Sequence, residues 1–274
     1  MRTRFAPSPT GPLHLGHAFS AILGHDMAQK SGGEFLVRIE DIDRSRARAE
    51  WDDLIFQDLT WLGLRWQQPV LRQSENMAAY DTALDSLWNH GLLYPCKCNR
   101  RDILAAAAAP QGDGKYGPDG VIYPGSCRHK PQGKRPQDQS LRLNSDLLTG
   151  TYSFIETGLN AGIHTFTSTD FQRQVGDIVV QRRDMGTSYH LSVVVDDAAQ
   201  KITDVVRGVD LFEATKIHLV LQSLLKLPTP TYHHHHLITD DTGKRLAKRD
   251  DARALRLYRA EGHRPGDIRK MLGL

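Results

Sequence analysis

Apolar strands and helical stripes alternate over the first ninety residues, and this alternation constrains the fold more than any other feature of the chain. Helical spacing over residues 13–30 is followed by a near-continuous apolar strand at residues 35–39, and helical spacing returns over residues 51–62 and 77–88. Strands that alternate with helices are typical of a parallel sheet covered by helices. We therefore expect an α/β fold that begins with a parallel sheet.

The middle of the chain interrupts this pattern. From Pro95 onward come two closely spaced cysteines, an alanine run over residues 105–109 and a stretch rich in Gly, Pro and Asp, with little periodicity before Phe171. A segment of this composition buries few apolar side chains of its own. We expect an inserted module over residues 94–176.

The pattern of a parallel sheet resumes in the second half of the chain. Strands are predicted at residues 178–180, 191–195 and 202–206, and a helix over residues 215–226. We expect these elements to complete a Rossmann-like sheet. The expected divisions are a first catalytic half at 1–93, the insert at 94–176, a second catalytic half at 177–228, and a loop with short basic helices at 229–274.

Composition excludes some classes of protein and leaves others open. No run of eighteen apolar residues exists, and the N-terminus lacks the apolar core of a secretory signal, so we expect a cytoplasmic chain without a membrane partner. The net charge of +3 permits nucleic-acid binding without requiring it. We expect a monomer.

A glycine-bearing turn leads into the first helix through Gly11-Pro12-Leu13-His14-Leu15-Gly16-His17. His14 and His17 lie three positions apart, on one face of the first turn, where backbone N–H groups and the helix dipole favour an anion. Gly16 leaves room for an adenine or ribose to approach the backbone. The motif therefore predicts a polyphosphate site; packing, capping or a two-histidine metal site is the alternative.

Longer stretches of the sequence resemble class I glutamyl-tRNA synthetases. The segment RFAPSPTG (residues 4–11), followed by HLGH (residues 14–17), is similar to the opening of that family. Further similar stretches follow in the same order: FLVRIEDIDRSR (residues 35–46), SYHLSVVVDD (188–197), VVRGVDL (205–211) and KRLAKR (244–249). The resemblance spans almost the whole chain and implies a class I Rossmann-like catalytic domain.

This resemblance implies a binding site for L-glutamate. The implied residues are Arg4, Phe5, Ala6, Pro7, Ser8, Glu40, Tyr189 and Arg207. Arg207 is expected beside the side-chain carboxylate, which an arginine fork suits. Glu40 is expected to take the α-amino group, and Tyr189 to close the pocket. A surface ion pair of Glu40 with Arg38 or Arg44 is the alternative.

The resemblance also implies ATP and Mg²⁺. The implied ATP-binding residues are His14, Gly16, His17, Arg245 and Lys248, of which the two histidines and Lys248 are expected to be catalytic. Residues 245–249, RLAKR, resemble the family's KMSKS-type loop, with Arg245 in place of the first lysine and Ala247 in place of the serine. Cations that reach the phosphates are retained, so activity is expected; a solvated basic face is the alternative.

The three cysteines favour a metal site over disulfides, because their number is odd and two are separated by one residue. Cys96, Cys98 and Cys127 are soft ligands that suit Zn²⁺, which prefers four tetrahedral ligands. The resemblance implies Tyr123 as the fourth ligand, and His129 is the ordinary chemical alternative. Bound zinc would be structural; a metal-free set of thiols is the alternative. The run His233–His236 is expected to be solvated and without a role.

Little sequence follows the KMSKS-type segment, so we expect a small C-terminal helical stem-contact region and no anticodon-binding domain. Shortened chains of this kind resemble the glutamyl-queuosine tRNA(Asp) synthetases, which activate glutamate without tRNA and transfer it to queuosine in the anticodon of tRNA(Asp). Val193, where full-length enzymes tend to carry asparagine, agrees with this group. The alternatives are a synthetase that charges the tRNA 3′ end, a small-molecule nucleotidylyltransferase, and a non-catalytic zinc-stabilised RNA-binding paralogue.

Overall fold

The computed structural model describes residues 1–107, 116–129, 133–239 and 253–274, without the side chains of residues 100 and 105–107. The strands are β1 (Arg2–Phe5), β2 (Glu34–Ile39), β3 (Gln67–Arg72), β4 (Leu93–Cys96), β5 (Tyr116–Gly117), β6 (Gly120–Val121), β7 (Ser140–Leu143), β8 (Thr151–Glu156), β9 (Gly162–Thr167), β10 (Val179–Gln181), β11 (Asp204–Gly208) and β12 (Thr231–His235). The helices are α1 (Leu15–Lys30), α2 (Ala49–Trp61), α3 (Met77–Asn89), α4 (Arg100–Ala107), α5 (Ser168–Gln174), α6 (Tyr189–Ala199), α7 (Thr215–Leu224), α8 (Leu255–Ala260) and α9 (Pro265–Leu272).

Parallel strands from both ends of the chain lie side by side. β1 pairs with β2 and β2 pairs with β3, all parallel. On the other side of β1 lies β11, which pairs in parallel with β12. Arg2 and Thr203 connect the two groups, because the Thr203 amide donates to the Arg2 carbonyl at 3.0 Å. The expected α/β fold with a parallel sheet is confirmed.

One strand prediction in the second half is wrong, and another is right about the strand but wrong about its sheet. Residues 191–195 lie in helix α6, whose first turn is capped by Ser188, the acceptor for the Leu191 amide at 3.3 Å. An apolar run that is buried on nearly all sides has no polar face to set a helical period, so periodicity predicts a strand here. β10 does exist, but it pairs antiparallel with β7, which pairs antiparallel with β4, and not with the parallel sheet.

The described part of the region that shows little periodicity contains five strands, β5 to β9. β8 alternates exposed and buried residues, but its inward positions are Tyr152, Phe154 and the acidic Glu156, which obscures the apolar pattern. β8 forms a hairpin with β9 and also meets β12, where Glu156 lies opposite Tyr232. The hairpin of β8 and β9 therefore extends the sheet that contains β11 and β12. The division at 94 and 176 stays a prediction.

The C-terminal helices pack against the start of the fold. Leu255 of α8 and Ile268 of α9 belong to the same apolar cluster as Leu13 and Phe19 near α1. Arg269 of α9 also binds Asp26 of α1, with Nη1 and Oδ2 2.6 Å apart. The polypeptide therefore returns to α1 after β12. No helix in the described part of the chain is long and apolar enough to cross a membrane.

Candidate active site

The first turn of α1 holds both histidines through their own backbone. His14 is the N-cap, and its Nδ1 accepts from the Gly16 amide at 3.1 Å, while His17 Nδ1 accepts from the His14 amide at 3.2 Å. The ring centroids lie 3.8 Å apart. Because each Nδ1 is an acceptor, a neutral ring carries its proton on Nε2. Two N–H donors therefore accompany the positive end of the helix, an arrangement that suits a phosphate.

Gly16 makes room for one of these rings. A Cβ at this position would lie 3.0 Å from Cε1 and 3.2 Å from Nδ1 of His14. A larger residue would push the ring away from the amide that it accepts from. The absence of a side chain at Gly16 therefore serves the histidine pair, whereas close approach of a nucleotide stays a prediction.

Four charged residues meet near the carboxyl ends of β1 and β2. Arg4 donates to Asp197 through Nε at 3.0 Å and Nη2 at 3.3 Å, and Arg38 donates to the same carboxylate at 2.7 Å. Arg38 Nη2 also donates to Glu40 at 3.2 Å. All four side chains are buried. Glu40 thus pairs with Arg38 inside the protein and not at the surface, which corrects that alternative.

Asp197 compensates two buried guanidinium groups, so we expect Asp197→Asn to lower the free energy of unfolding by about 3–5 kcal/mol, the usual cost of breaking a buried ion pair. Urea unfolding followed by circular dichroism measures this loss. The control is Asp184→Asn, because Asp184 is 62% exposed in its pair with Arg182 and such pairs contribute less than about 1 kcal/mol. Equal losses in the two variants would contradict the expected result.

Arg207, at the carboxyl end of β11, is held by neutral acceptors. Its Nε donates to His234 Nε2 at 3.0 Å and its Nη1 to His218 Nδ1 at 3.1 Å. Its Nη2 donates to the Leu211 carbonyl at 3.1 Å and to Thr215 Oγ1 at 2.7 Å. No carboxylate of the described residues binds this guanidinium directly. These neutral partners hold the side chain in place without a direct ion pair in the described part of the chain.

The expectation that residues 233–236 are solvated and without a role is wrong for two of them. His233, His234 and His235 belong to β12, and His234 and His235 are buried. His234 lies between Arg207 and Glu156, with Nδ1 2.5 Å from Oε2 of that carboxylate. Hydropathy predicts that a polar strand is exposed. It cannot show that His234 is buried, because the partners that allow its burial are distant in sequence.

The two histidines on Arg207 are uncharged at neutral pH. Burial, together with the charge of Arg207, lowers the pKa of His234 to about 4. The same two causes hold the pKa of His218 well below its ordinary value. His234 and His218 therefore present acceptor lone pairs to Arg207 and carry no positive charge beside it.

Tyr189 lies within electrostatic range of the other predicted glutamate-binding residues. Burial raises the pKa of its phenol, Glu40 adds to the rise, and Arg207 and Arg4 oppose it. Ser8, Glu40 and Tyr189 line one cavity of about 1620 Å³. Three of the side chains expected to bind the amino acid thus line one cavity, whereas Arg4 and Arg207 are not among its lining residues.

Residues 5–7 contribute differently to this place. Phe5 is buried in the apolar core, so its side chain serves packing. The Pro7 carbonyl accepts from the Glu40 amide at 3.0 Å and joins the segment after β1 to the segment after β2. Ala6 lies between them and is half-buried. Direct contact of these three residues with a substrate stays a prediction.

The three cysteines lie close together, and two of them, Cys96 and Cys98, line the same cavity. Their sulfur atoms all lie within 4.8 Å of one another, in the one group of this kind within the described residues. The Tyr123 hydroxyl lies 3.5 Å from Cys96 Sγ and 3.3 Å from Cys98 Sγ. Tetrahedral zinc has Zn–S distances of about 2.3 Å and so needs sulfurs roughly this close. The donor set fits zinc.

Of the two side chains considered as fourth ligand, the phenol lies nearer the sulfurs. Tyr123 is buried and its hydroxyl also accepts from the Cys127 amide at 3.0 Å. His129 is exposed, and its Nδ1 lies 2.5 Å from the Cys127 carbonyl. Arg142 lies 4.0 Å above the Tyr123 ring and its Nε is 3.4 Å from Cys96 Sγ, so a cation accompanies the thiols.

Comparison with known proteins identifies the family. A family model described as tRNA synthetases class I (E and Q), catalytic domain, matches residues 1–274. The Glutamyl-Q tRNA(Asp) synthetase of Rhodobacter capsulatus is 59% identical over 278 residues, which cover 100% of both chains. The chain belongs to the class I glutamyl-Q tRNA(Asp) synthetase family. It is a class I synthetase-like ligase.

Two other relatives agree with this membership. The Glutamyl-Q tRNA(Asp) synthetase of Geobacter sulfurreducens is 41% identical over 92% of this chain and 76% of its own. A crystal structure of glutamate-tRNA synthetase from Elizabethkingia anophelis is 26% identical, with a TM-score of 0.74. The match covers 91% of this synthetase-family chain but only 53% of that structure.

The predicted phosphate loop lies outside the described residues. This applies to Arg245, Ala247 and Lys248. Beyond the loop, Ala254 forms a β-bridge with His14, and the Leu255 amide donates to the Leu13 carbonyl at 2.8 Å. The described segment that follows the predicted phosphate loop is therefore joined to the histidine turn.

Sequence reasoning missed several buried polar residues of this synthetase site. They are Arg38, Glu156, Asp196, Asp197, His190 and His218. A signal existed for some of them, because Arg38 stands inside an otherwise apolar strand and Asp196-Asp197 ends a long apolar run. A charged residue in such a position is rarely buried without a partner.

Proposed function

We propose that the protein uses ATP to activate L-glutamate as glutamyl-adenylate without tRNA, and then transfers the glutamyl group to queuosine at the wobble position of tRNA(Asp). The observation that carries this proposal is the 59% identity, over the full length of both chains, with the Glutamyl-Q tRNA(Asp) synthetase of Rhodobacter capsulatus. A monomer and a cytoplasmic location stay predictions.

Glutamate recognition follows from the charges around the cavity. Arg207 offers its guanidinium, which neutral partners hold, to the side-chain carboxylate of the substrate. Burial raises the pKa of Glu40, and the positive charges of Arg38 and Arg4 offset the cost of burying this carboxylate only in part. An incoming α-ammonium group supplies further positive charge. Arg4 and Ser8 hold the substrate from the β1 side, and Tyr189 closes the pocket.

The phosphates of ATP lie at the start of α1 in this proposal. His14 and His17 donate to them through Nε2, beside Gly16, and Arg245 and Lys248 approach from the other side. Mg²⁺ accompanies the nucleotide. An oxygen of the α-carboxylate of glutamate attacks the α-phosphorus of ATP, and pyrophosphate leaves. The protein positions the reactants and stabilises negative charge, so no side-chain nucleophile is needed.

Zinc has a structural role in this proposal. Cys96, Cys98, Tyr123 and Cys127 are the ligands that we assign to it. Among the described residues, the apolar cluster beside the cysteines has only Tyr94, Cys96 and Tyr123 as buried members, so a metal that crosslinks this part stabilises the wall of the cavity. Pockets for small ligands measure about 300–1,000 Å³. A cavity of about 1620 Å³, reaching from Tyr189 to Cys98, leaves space for an acceptor nucleoside beside the adenylate.

Acylation of tRNA(Asp) with radiolabelled glutamate tests the proposal. Queuosine-containing tRNA(Asp) should be labelled, and the same tRNA without queuosine should not. Ribonuclease digestion then assigns the label to the anticodon fragment or to the 3′-terminal adenosine. Equal labelling of the two tRNAs would refute the queuosine assignment.

Glutamate-tRNA synthetase activity is the second candidate, because the Elizabethkingia anophelis structure carries that name. Label on the terminal adenosine would support it. Glutamate-dependent ATP–pyrophosphate exchange separates both activities from a non-catalytic protein: absence of exchange with ATP, Mg²⁺ and glutamate would contradict the proposed activation.

A further inference from the structure

The hydrogen bonds around His234 have only one possible direction. Arginine is a donor only, so His234 Nε2 must accept from Arg207 Nε, at 3.0 Å. A neutral imidazole that accepts at Nε2 carries its proton on Nδ1. That proton points to Oε2 of Glu156, at 2.5 Å. The tautomer of His234 is therefore set by its two neighbours.

Among the described residues, His234 is the side chain that Glu156 binds. It is 2% exposed, and its Oε1 accepts from the Gly158 amide at 2.6 Å and from the His234 amide at 2.9 Å. Its other oxygen accepts from His234 Nδ1. These hydrogen bonds lower the pKa of Glu156 although burial raises it, so the carboxylate is ionised at neutral pH. An ionised carboxylate accepts and does not donate.

The other N–H groups of Arg207 complete the arrangement. Among the described residues, four of its five N–H groups bind His234, His218, Leu211 and Thr215. The remaining N–H is on Nη1. The orientation of the guanidinium plane, and hence of this N–H, depends on the Nε contact with His234.

We propose that Glu156 and His234 are positioning residues for glutamate recognition: Glu156 keeps the proton of His234 on Nδ1, and the lone pair on Nε2 then holds Arg207 with its last N–H toward the substrate side-chain carboxylate. This inference rests on the proposed function, in which Arg207 reads that carboxylate. The His234 imidazole between Glu156 and Arg207 is essential. A carboxylate that bound Arg207 directly would compete with the substrate carboxylate for the same guanidinium group.

Two substitutions of His234 separate positioning from packing. In His234→Gln the side-chain oxygen replaces Nε2 and still accepts from Arg207, whereas His234→Asn replaces Nδ1 and leaves Arg207 Nε without an acceptor. Losing a hydrogen bond to a charged group costs roughly 10- to 100-fold in affinity. We expect the KM for glutamate in ATP–pyrophosphate exchange to rise by that factor in His234→Asn and by less than about threefold in His234→Gln.

The control is His233→Asn, one position earlier on β12, where the ring contacts Thr157 and not Arg207. Its KM for glutamate should equal that of the wild type. In all three variants the KM for ATP and kcat should change by less than about twofold, since uniform substrate binding is what is lost. Equal glutamate KM values in His234→Gln and His234→Asn, or a larger rise in the glutamine variant, would overturn the proposal.

Glu156→Gln tests the tautomer directly. Its amide oxygen can accept the two backbone N–H groups, but its NH₂ then faces His234 Nδ1 and forces the proton to Nε2, against Arg207 Nε. We expect the KM for glutamate to rise roughly 10- to 100-fold, and ¹⁵N NMR to show the His234 proton moved from Nδ1 to Nε2. A proton that stays on Nδ1, or an unchanged KM, would overturn the inference.

Failure of the proposed function gives a different result from failure of this inference. Without glutamate-dependent exchange in the wild-type protein, the proposed function fails. With wild-type exchange present and the His234 and Glu156 variants unaltered in KM, only the positioning role fails. The NMR measurement requires no activity, so it reports on the tautomer in either case.

Discussion

Arg207→Ala is expected to abolish glutamate-dependent ATP–pyrophosphate exchange, with kcat/KM for glutamate falling by roughly 100- to 1,000-fold or more. The substitution removes the cation proposed to bind the substrate carboxylate. It also leaves the acceptors of His234, His218 and Thr215 without a donor, in a buried site where unpaired polar groups are costly. Exchange measured against glutamate concentration, with ATP saturating, gives the size of the loss.

Binding of ATP should survive this substitution, because the phosphates are proposed to lie at His14 and His17. Calorimetric titration with ATP and Mg²⁺ measures it. Arg65→Ala removes an exposed arginine and serves as the matched control, with both glutamate activation and ATP binding unchanged. If Arg207→Ala weakened ATP binding as much as glutamate activation, Arg207 would not be a substrate reader.

Cys98→Ser is expected to remove the bound zinc and destabilise the protein. One of the proposed thiolate ligands is lost, so zinc affinity should fall by more than the roughly 10- to 100-fold that accompanies loss of a supporting residue at a metal site. Because metal binding is coupled to folding, the unfolding temperature should fall as well. Elemental analysis gives the zinc content per chain, and differential scanning calorimetry gives the unfolding temperature.

Ser126→Ala is the control for this substitution, since Ser126 is exposed beside Cys127 and offers no preferred zinc ligand. Tyr123→Phe and His129→Ala identify the fourth ligand. The phenylalanine variant should lower zinc affinity and the alanine variant should not, because the phenol lies beside the sulfurs. Unchanged zinc content in Cys98→Ser would rule out the cysteine site.

Helices with one apolar face could be predicted from sequence, and helices without one could not. α3 and α7 present apolar stripes, and the predictions over residues 77–88 and 215–226 match them closely. α6 is buried on most of its surface, including Asp196 and Asp197, so its sequence has no polar face to set a period. β8 was missed for the opposite reason, because Glu156 occupies an inward position where an apolar residue is expected.

The residues of the candidate site also divide into those that could be predicted from sequence and those that could not. Short-range spacing was enough to single out the histidine pair and the Cys96–Cys98 pair, and the preference of zinc for thiolates was enough to add Cys127. The ion pairs were not accessible to this reasoning, because Arg4 and Asp197 lie 193 positions apart. A pairing across such a separation depends on which strands become neighbours.

The amino-acid sequence by itself determined the α/β class and singled out the histidine turn and the three cysteines as candidate sites, because these depend on periodicity and on residue type. Only the tertiary structure decided which charges are paired and which are held by neutral partners. Asp197 neutralises Arg4 and Arg38, whereas Arg207 meets neutral histidines and keeps its charge. The physical reason is burial: an ionisable side chain is perturbed by the groups packed around it, and the fold selects those groups.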